Sequence, residues 1–324
     1  MALQSDHGQY AEKLHSKNVL ITGGTGSLGT RLVQRLQEYE LRKIIVYSRD
    51  EYKQSEQKRL LGYGNVRYFL GDVRDQSRLL RALAGVDFVV HAAALKRIPE
   101  LEYNPGEAIK TNVLGSMNVV ECCCKAEIDS AVLVSTDKAC EPVNLYGATK
   151  LCAEKYFLAA NAYAKTQFNV VRYGNVLASR GSVIRLFDKL MEDSVPITDT
   201  RMTRFWITID EAVDLVFFAL LCGEAAIYVP KARAGRLVDI ARAVCPGKGI
   251  REIGIRPGEK LHETLISKNE KNGVFLVDHG RLVDYDRPYH SNENLLNSRQ
   301  IRDLIEGIRN AEFQHFQETR HRDS

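Results

Sequence analysis

Residues 17–37 read KNVLITGGTGSLGTRLVQRLQ. The run Lys17–Ile21 is short, apolar and β-rich, so it reads as a buried strand. Gly23, Gly26 and Gly29 follow at three-residue spacing, and an amphipathic helical pattern starts at once. Glycines in that order let the backbone turn tightly and approach a pyrophosphate, which then sits at the positive end of the helix. Thr25, Ser27 and Leu28 lie in the same turn and are candidate neighbours of that group. A strand, a glycine loop and a helix in this order predict the opening unit of a Rossmann-type, doubly wound parallel α/β sheet.

Later segments repeat the alternation of strand and helix. Lys43–Tyr47 is a second strand, ending in Ser48, Arg49 and Asp50, where the adenosine ribose of a dinucleotide is read. An acidic residue there binds the free 2′-hydroxyl of NAD, whereas an arginine pairs with the 2′-phosphate of NADP. Ser48 and Arg49 come first off the strand, so NADP is favoured and Asp50 leaves NAD as the lesser option. A third strand, 64–70, precedes Asp72 and Val73. Asp72 either accepts a bond from an adenine amino group or caps a helix over 76–83. The fourth strand, 86–91, runs into the small residues Ala92 and Ala94, which allow close approach of a cofactor, and then into Lys96 and Arg97. A helix over 105–126 carries Asn112.

The stretch from Ser135 to Lys150, STDKACEPVNLYGATK, follows the apolar strand Ala131–Val134. Thr136, Asp137 and Lys138 therefore stand just past the carboxyl end of a strand, the rim where ligands bind in open α/β sheets. Tyr146 and Lys150 are four apart in a helical pattern and share one face. An ammonium beside a phenol stabilises the phenolate, so Tyr146 can act as a base below its ordinary pKa. The alternative is a surface Asp–Lys pair followed by a core tyrosine.

After another strand, 168–173, the run from Gly174 to Val183 looks like a crossing into a second lobe. It holds Asn175, Ser179, Arg180 and Val183. Arg180, Arg204 and Arg256 are candidates for gripping a diphosphate through forked bonds. The expected organisation is a dinucleotide-binding domain over 17–178, rejoined by 208–230, with a smaller α/β lobe from 179–207 and 231–310. Residues 1–16 and 311–324 are expected to be flexible.

The chain has 324 residues, 44% hydrophobic and 27% charged, with a net charge of +4. Those are the proportions of an ordinary globular protein. The small positive charge suits an anionic small molecule, and the absence of a basic block interleaved with aromatics argues against nucleic acid. No run is long enough to span a bilayer, and the first residues lack the apolar core of a signal peptide, so a cytoplasmic location away from membranes is expected. Seven cysteines include the consecutive Cys122, Cys123 and Cys124, which point around a helix rather than converging on a metal, so no metal site is expected.

TGGTGSLG, YSRDEYKQSE, GDVRD, HAAALKRIPELEYNP, STDKACEPVNLYGATK, VVRYGNVLASRGSV, MTRFWIT and RPGEKLHE together resemble the extended short-chain dehydrogenase/reductases. Within them the chain looks most like the 5-inverting UDP-N-acetylglucosamine 4,6-dehydratases of the pseudaminic acid pathway. The resemblance implies a lyase that oxidises its sugar at C-4, eliminates water across C-5 and C-6, and reduces C-6 again through bound NADP. It implies that Tyr146, Lys150 and Thr136 serve the redox step, with Lys138, as a neutral amine, and Asp137 as base and acid of the elimination. Asn175, Ser179, Arg180 and Arg256 would hold the diphosphate of UDP-GlcNAc, and Glu259 the uridine ribose. It also implies a homo-oligomer, a dimer or a hexamer. Retaining membrane-bound relatives tend to carry Met where Tyr146 stands. The chain departs from the family at Arg97, where His is common. Alternatives are a retaining dehydratase or a C-4 epimerase, and, more remotely, a non-catalytic NADP sensor.

Overall fold

The computed structural model describes residues 7–62, 64–177, 179, 182–188, 190–221, 223–270, 273–283 and 285–322, without the side chains of 7, 185 and 311–322. Its centre is a sheet of nine strands, which we label β1 (Asn18–Thr22), β2 (Lys43–Ser48), β3 (Val66–Leu70), β4 (Phe88–His91), β5 (Ser130–Val134), β6 (Gln167–Val171), β7 (Ile227–Pro230), β8 (Val274–Asp278) and β9 (Arg281–Val283). Their order is β9-β8-β7-β6-β5-β4-β1-β2-β3. All neighbours pair in parallel except β8 and β9. The order reverses between β1 and β4, so the crevice beyond their carboxyl ends is where a ligand of this fold binds.

Every residue of β1 and β4 is buried, as the runs NVLIT and FVVH require of strands covered on both faces. One apolar layer joins the sheet to the helices Ser27–Leu36 and Ile209–Leu221, through Leu32, Val33, Val213 and Phe217. The other joins it to Gly115–Ala126 and Leu145–Ala160, through Val119, Val120, Ala153 and Phe157. A separate cluster that includes Leu177, Ile184, Val195, Trp206, Val238 and Ile301 forms the core of the smaller lobe.

Several expectations are corrected. His7–Leu14 is a helix whose Tyr10 and Leu14 are buried, Tyr10 packing edge-on against Phe217, so that part of the N-terminal segment is anchored. At the other end, Ser298–Arg322 is one continuous helix. Residues 274–283 belong to the central sheet rather than the smaller lobe, because β8 pairs with β7. The helix Gln76–Ala82 is capped by Asp75, which accepts from Arg78 N, and not by Asp72. The single helix expected over 105–126 is interrupted by a π-helical stretch, Ile109–Leu114. The wider turn presents buried Asn112 to the backbone of Leu95, accepting from its N–H at 2.8 Å and donating to its C=O at 2.8 Å. That pair fixes the segment leaving β4.

Arg172, just past β6, is fully buried. It forks onto Glu154 at 3.1 and 2.6 Å and onto Glu270 at 2.8 and 2.8 Å, and it donates to the Leu265 carbonyl at 2.8 Å. Ser135 donates to Glu154 from the end of β5. One guanidinium thus ties two strand ends, the Leu145–Ala160 helix and a distant loop together. Breaking a buried pair leaves uncompensated charge. Arg172→Ala should cost about 3–5 kcal/mol of stability, read as a lowered midpoint in urea unfolding.

Candidate active site

Beyond the carboxyl ends of the strands lies a cleft of about 1400 Å³. Its floor is the glycine loop. Gly23 has φ +65°, and a Cβ there would lie 2.8 Å from the Ala93 backbone. The Ser27–Leu36 helix begins at Gly26 with no side-chain cap, leaving its first-turn N–H groups for an anion. Thr25, Ser27, Leu28 and Gly29 line the same region, as do Asp72, Val73, Ala92 and Ala94. A nicotinamide dinucleotide fits this donor set and this close approach of backbone.

At the second strand's end the two candidate ribose readers differ. Asp50 caps the Glu51–Leu61 helix, accepting from Lys53 N at 3.0 Å, and its carboxylate is paired with Lys53 Nζ at 2.7 Å. Arg49 is half-exposed on the cleft with one nitrogen 3.6 Å from Asp72. Ser48 and Thr25 share a hydroxyl bond of 3.0 Å. Asp72 itself is held by Arg74, at 3.0 and 2.7 Å.

The chemistry-bearing stretch begins where β5 ends. Asp137 N donates to the Tyr173 carbonyl at 3.0 Å, prolonging the sheet contact, and Thr136 starts a short 3-10 turn, Asp137–Ala139. Asn144 caps the Leu145–Ala160 helix, accepting from Gly147 N at 2.8 Å. Its amide donates to the Gly258 carbonyl at 2.8 Å, which brings Arg256 and Glu259 to the cleft. Gly147 lets this helix lie directly on the Lys138 segment, because any Cβ would collide with the Lys138 carbonyl oxygen.

Lys138, Thr136, Tyr146 and Lys150 all line the cleft. Lys138 Nζ stands 3.0 Å from Asp137 Oδ1 and 3.4 Å from Glu263 Oε1. Thr136 donates to Asp137 Oδ1 at 3.0 Å and also bonds the Tyr146 hydroxyl. Burial disfavours the charged amine of Lys138, but Asp137 and Glu263 outweigh burial and the repulsion of Arg204, so its pKa lies above the ordinary lysine value. This corrects the expectation of a neutral Lys138: the resting side chain is an ammonium. Burial pushes the Tyr146 phenol up to about 12, against the pull of Lys138 and the Thr136 bond. Lys138 is thus a cation that acts on the phenol. Burial lowers Lys150 to about 8, with Glu154 opposing.

Among the remaining candidates, Lys96, Asn175, Ser179 and Val183 line the cleft, Lys96 on its exposed rim. Asp137 is fully buried behind Lys138 and is not among the cleft-lining residues. Arg204 does not line the cleft either. It is buried, donates to the Thr203 and Leu261 carbonyls at 2.7 and 3.3 Å, and sits 3.7 Å from Glu263, so it braces the site from inside. Arg180 lies outside the described residues. Sequence reasoning missed Glu263, the last residue of RPGEKLHE, because nothing local marks that carboxylate as facing Lys138. Among the described residues, no cluster of His, Cys, Asp or Glu is placed to hold a metal, and no helix is long and apolar enough to cross a membrane.

A doubly wound sheet whose switch-point cleft carries Thr136, Tyr146 and Lys150 has the architecture of the extended short-chain dehydrogenase/reductases. The chain belongs to the polysaccharide biosynthesis protein family, which matches residues 19–281. It is 50% identical over 268 residues, 80% of each chain, to a UDP-N-acetylglucosamine 4,6-dehydratase (inverting) of Campylobacter jejuni subsp. jejuni serotype O:2. It is 40% identical over 268 residues, 78% of this chain and 79% of the relative, to a UDP-glucose 4-epimerase of Rickettsia bellii. Among solved structures, Pen from Bacillus thuringiensis superposes with a TM-score of 0.85 at 31% identity, covering 91% of this chain and 99% of that one. The dTDP-glucose 4,6-dehydratase DesIV from Streptomyces venezuelae, with NAD and TYD bound, shares the fold at a TM-score of 0.71 and 22% identity, over 89% and 97% of the chains.

The contact at Gly147 makes a direct prediction. Gly147→Ala should drive the helix off the Lys138 turn and cost about 1–3 kcal/mol. Thermal unfolding and activity measured together should both fall.

Proposed function

We propose that this chain is an NADP-dependent, C-5-inverting UDP-N-acetylglucosamine 4,6-dehydratase, acting on UDP-GlcNAc. The observation that carries the reading is the Lys138–Asp137 contact of 3.0 Å beside Tyr146 in a cleft built for a dinucleotide. The Campylobacter relative, at 50% identity, supports the substrate and the inversion. A bound nicotinamide supplies a reversible hydride acceptor. The chain supplies the proton chemistry. Tyr146 takes the proton of the sugar 4-hydroxyl once it has lost its own, a form that Lys138 and Thr136 favour and burial opposes. The resulting 4-ketone acidifies the C-5 hydrogen.

The elimination then needs an amine without its proton and a carboxylic acid. One transfer along the 3.0 Å bond, from Lys138 Nζ to Asp137 Oδ1, makes both at once. The N–H bond breaks, the O–H bond forms, and no other reactant is used. Lys138 removes the C-5 proton, and the proton on buried Asp137 passes to the departing 6-hydroxyl through Thr136, whose Oγ1 is 3.0 Å from Asp137 Oδ1 and which lines the cleft. Lys150, Asn175, Ser179, Arg256 and Glu259 would hold the ligands around this centre. Arg49 and Asp50 both line the cleft, but the Asp50 carboxylate is committed to a helix cap and to Lys53, which favours NADP over NAD.

We include a cytoplasmic location and a homo-oligomer in this reading. Among the described residues, Cys122, Cys123, Cys124, Cys140, Cys152 and Cys245 are free, as in a reducing compartment. Tyr103, Ile109 and Leu114 offer exposed apolar surface on the segment that carries Asn112. The name of the Rickettsia relative favours a second reading, a C-4 epimerase. An epimerase has no use for a paired acid and amine, and its product has the mass of its substrate.

Given UDP-GlcNAc as sole substrate, the protein should release a product lighter by one water. A product of unchanged mass would favour the epimerase. Lys138→Ala should slow water loss by about a hundredfold to ten-thousandfold while retaining NADP. Full activity in that variant would remove Lys138 as the base. Arg49→Ala should weaken NADP by about tenfold or more in a fluorescence titration and leave NAD nearly unchanged. Equal losses would refute the 2′-phosphate contact.

A further inference from the structure

Glu263 is 2% exposed and is absent from the cleft lining, yet its Oε1 lies 3.4 Å from Lys138 Nζ. Its Oε2 is buried without a hydrogen-bond partner. The residue is held rigidly. Its N–H donates to Ser291 Oγ at 2.8 Å, its C=O accepts from Ser291 N at 2.9 Å, and Ser291 Oγ bonds Thr203 Oγ1 at 2.7 Å. So costly a placement for a carboxylate is compensated chiefly by the cations that face it, Lys138 and Arg204.

We propose that Glu263 is the positioning residue that keeps Lys138 charged and aimed at Asp137 in the resting enzyme, and so sets the pH up to which the pair keeps the proton that the elimination uses. The inference rests on the dehydratase reading and adds a third ionisable member to its acid–amine pair. The groups facing the Lys138 ammonium are Asp137 from its own turn, Glu263 and Arg204 from the smaller lobe, and the neutral phenol of Tyr146 from the neighbouring helix. Two carboxylates against one guanidinium leave a net negative surrounding. With Glu263 neutral, Asp137 and Arg204 oppose each other, and burial then acts on Lys138 with little to counter it. Arg204 stands 3.7 Å from Glu263, and Asp137 Oδ1, at 3.0 Å, is the nearer carboxylate oxygen to Nζ.

The test needs neither sugar nor cofactor. Lys138 lines the cleft with its side chain 20% exposed, so acetic anhydride can reach it. The acetylation rate of Lys138 is followed across a pH series by peptide mass spectrometry, with exposed Lys125 as the internal reference. Glu263→Gln should move the midpoint for Lys138 down by about one pH unit or more, making it about tenfold more reactive near neutrality. Lys125 should be unchanged. Glu263→Asp, which keeps the charge on a shorter arm, should shift the midpoint less, separating charge from packing. If the Gln variant does not fold, the Asp variant decides: a downward shift supports the assignment and none overturns it. The same midpoint in wild type and Glu263→Gln overturns it outright. In the dehydration assay the falling alkaline limb of the pH profile, where the pair loses that proton to solvent, should move down with the midpoint. An unmoved titration with intact water loss would remove Glu263 alone, whereas absent water loss with a shifted titration would remove only the dehydratase reading.

Discussion

The hydrogen bond between Lys138 Nζ and Asp137 Oδ1, 3.0 Å long, is the contact the rest of the site serves. Asp137 is wholly buried and Lys138 reaches the cleft, so the pair joins a low-dielectric interior to the place where a sugar would lie. Both charges are held at the end of β5 by backbone bonds that continue the sheet, Ser135 N to Val171 O at 2.7 Å and Asp137 N to Tyr173 O at 3.0 Å. A pair suspended this way can exchange its proton with little movement of heavy atoms. Reorganisation is thereby kept small in the step that would need it most.

Three constraints keep that pair in place. Gly147 permits the Tyr146 helix to rest on the Lys138 carbonyl. Arg172 clamps Glu154, four residues beyond Lys150 on the same helix, to the ends of β5 and β6. The smaller lobe contributes Glu263 and Arg204 from behind. The cleft is thus lined by one lobe's strand ends and the other's turn, while the electrostatics of its base depend on both. The neutral imidazole of His91 adds to this order: burial, with Lys150 nearby, lowers it to about 3, and its two nitrogens bond Thr22 and Ser116 at 2.7 and 3.0 Å.

The parallel sheet was legible because its signals are local. The glycine turn, the buried strands and the Tyr146–Lys150 spacing each sit within a few residues of one another. Boundaries moved where a side chain from elsewhere decided them. Asp75 rather than Asp72 caps its helix, and Asn112 widens a helix to reach Leu95. The charge state of Lys138 was beyond local reading, since Glu263 is 125 residues away by numbering and is placed by Ser291 and Thr203. Arg204 shows the same limit in reverse: its charge suggested a phosphate ligand, and its burial against backbone carbonyls makes it an internal brace. Anchoring of the N-terminal helix through Tyr10 and Leu14 likewise depends on Phe217, which no nearby residue announces.

The central claim is that hydride leaves C-4 of the sugar and returns to C-6 of the same molecule while the Lys138–Asp137 pair handles the protons. UDP-GlcNAc carrying deuterium at C-4 tests it most directly. The account predicts that nuclear magnetic resonance of the product finds the deuterium in a new C-6 methyl group. An intact C-6 hydroxymethyl group, or a methyl group without the label, would contradict it.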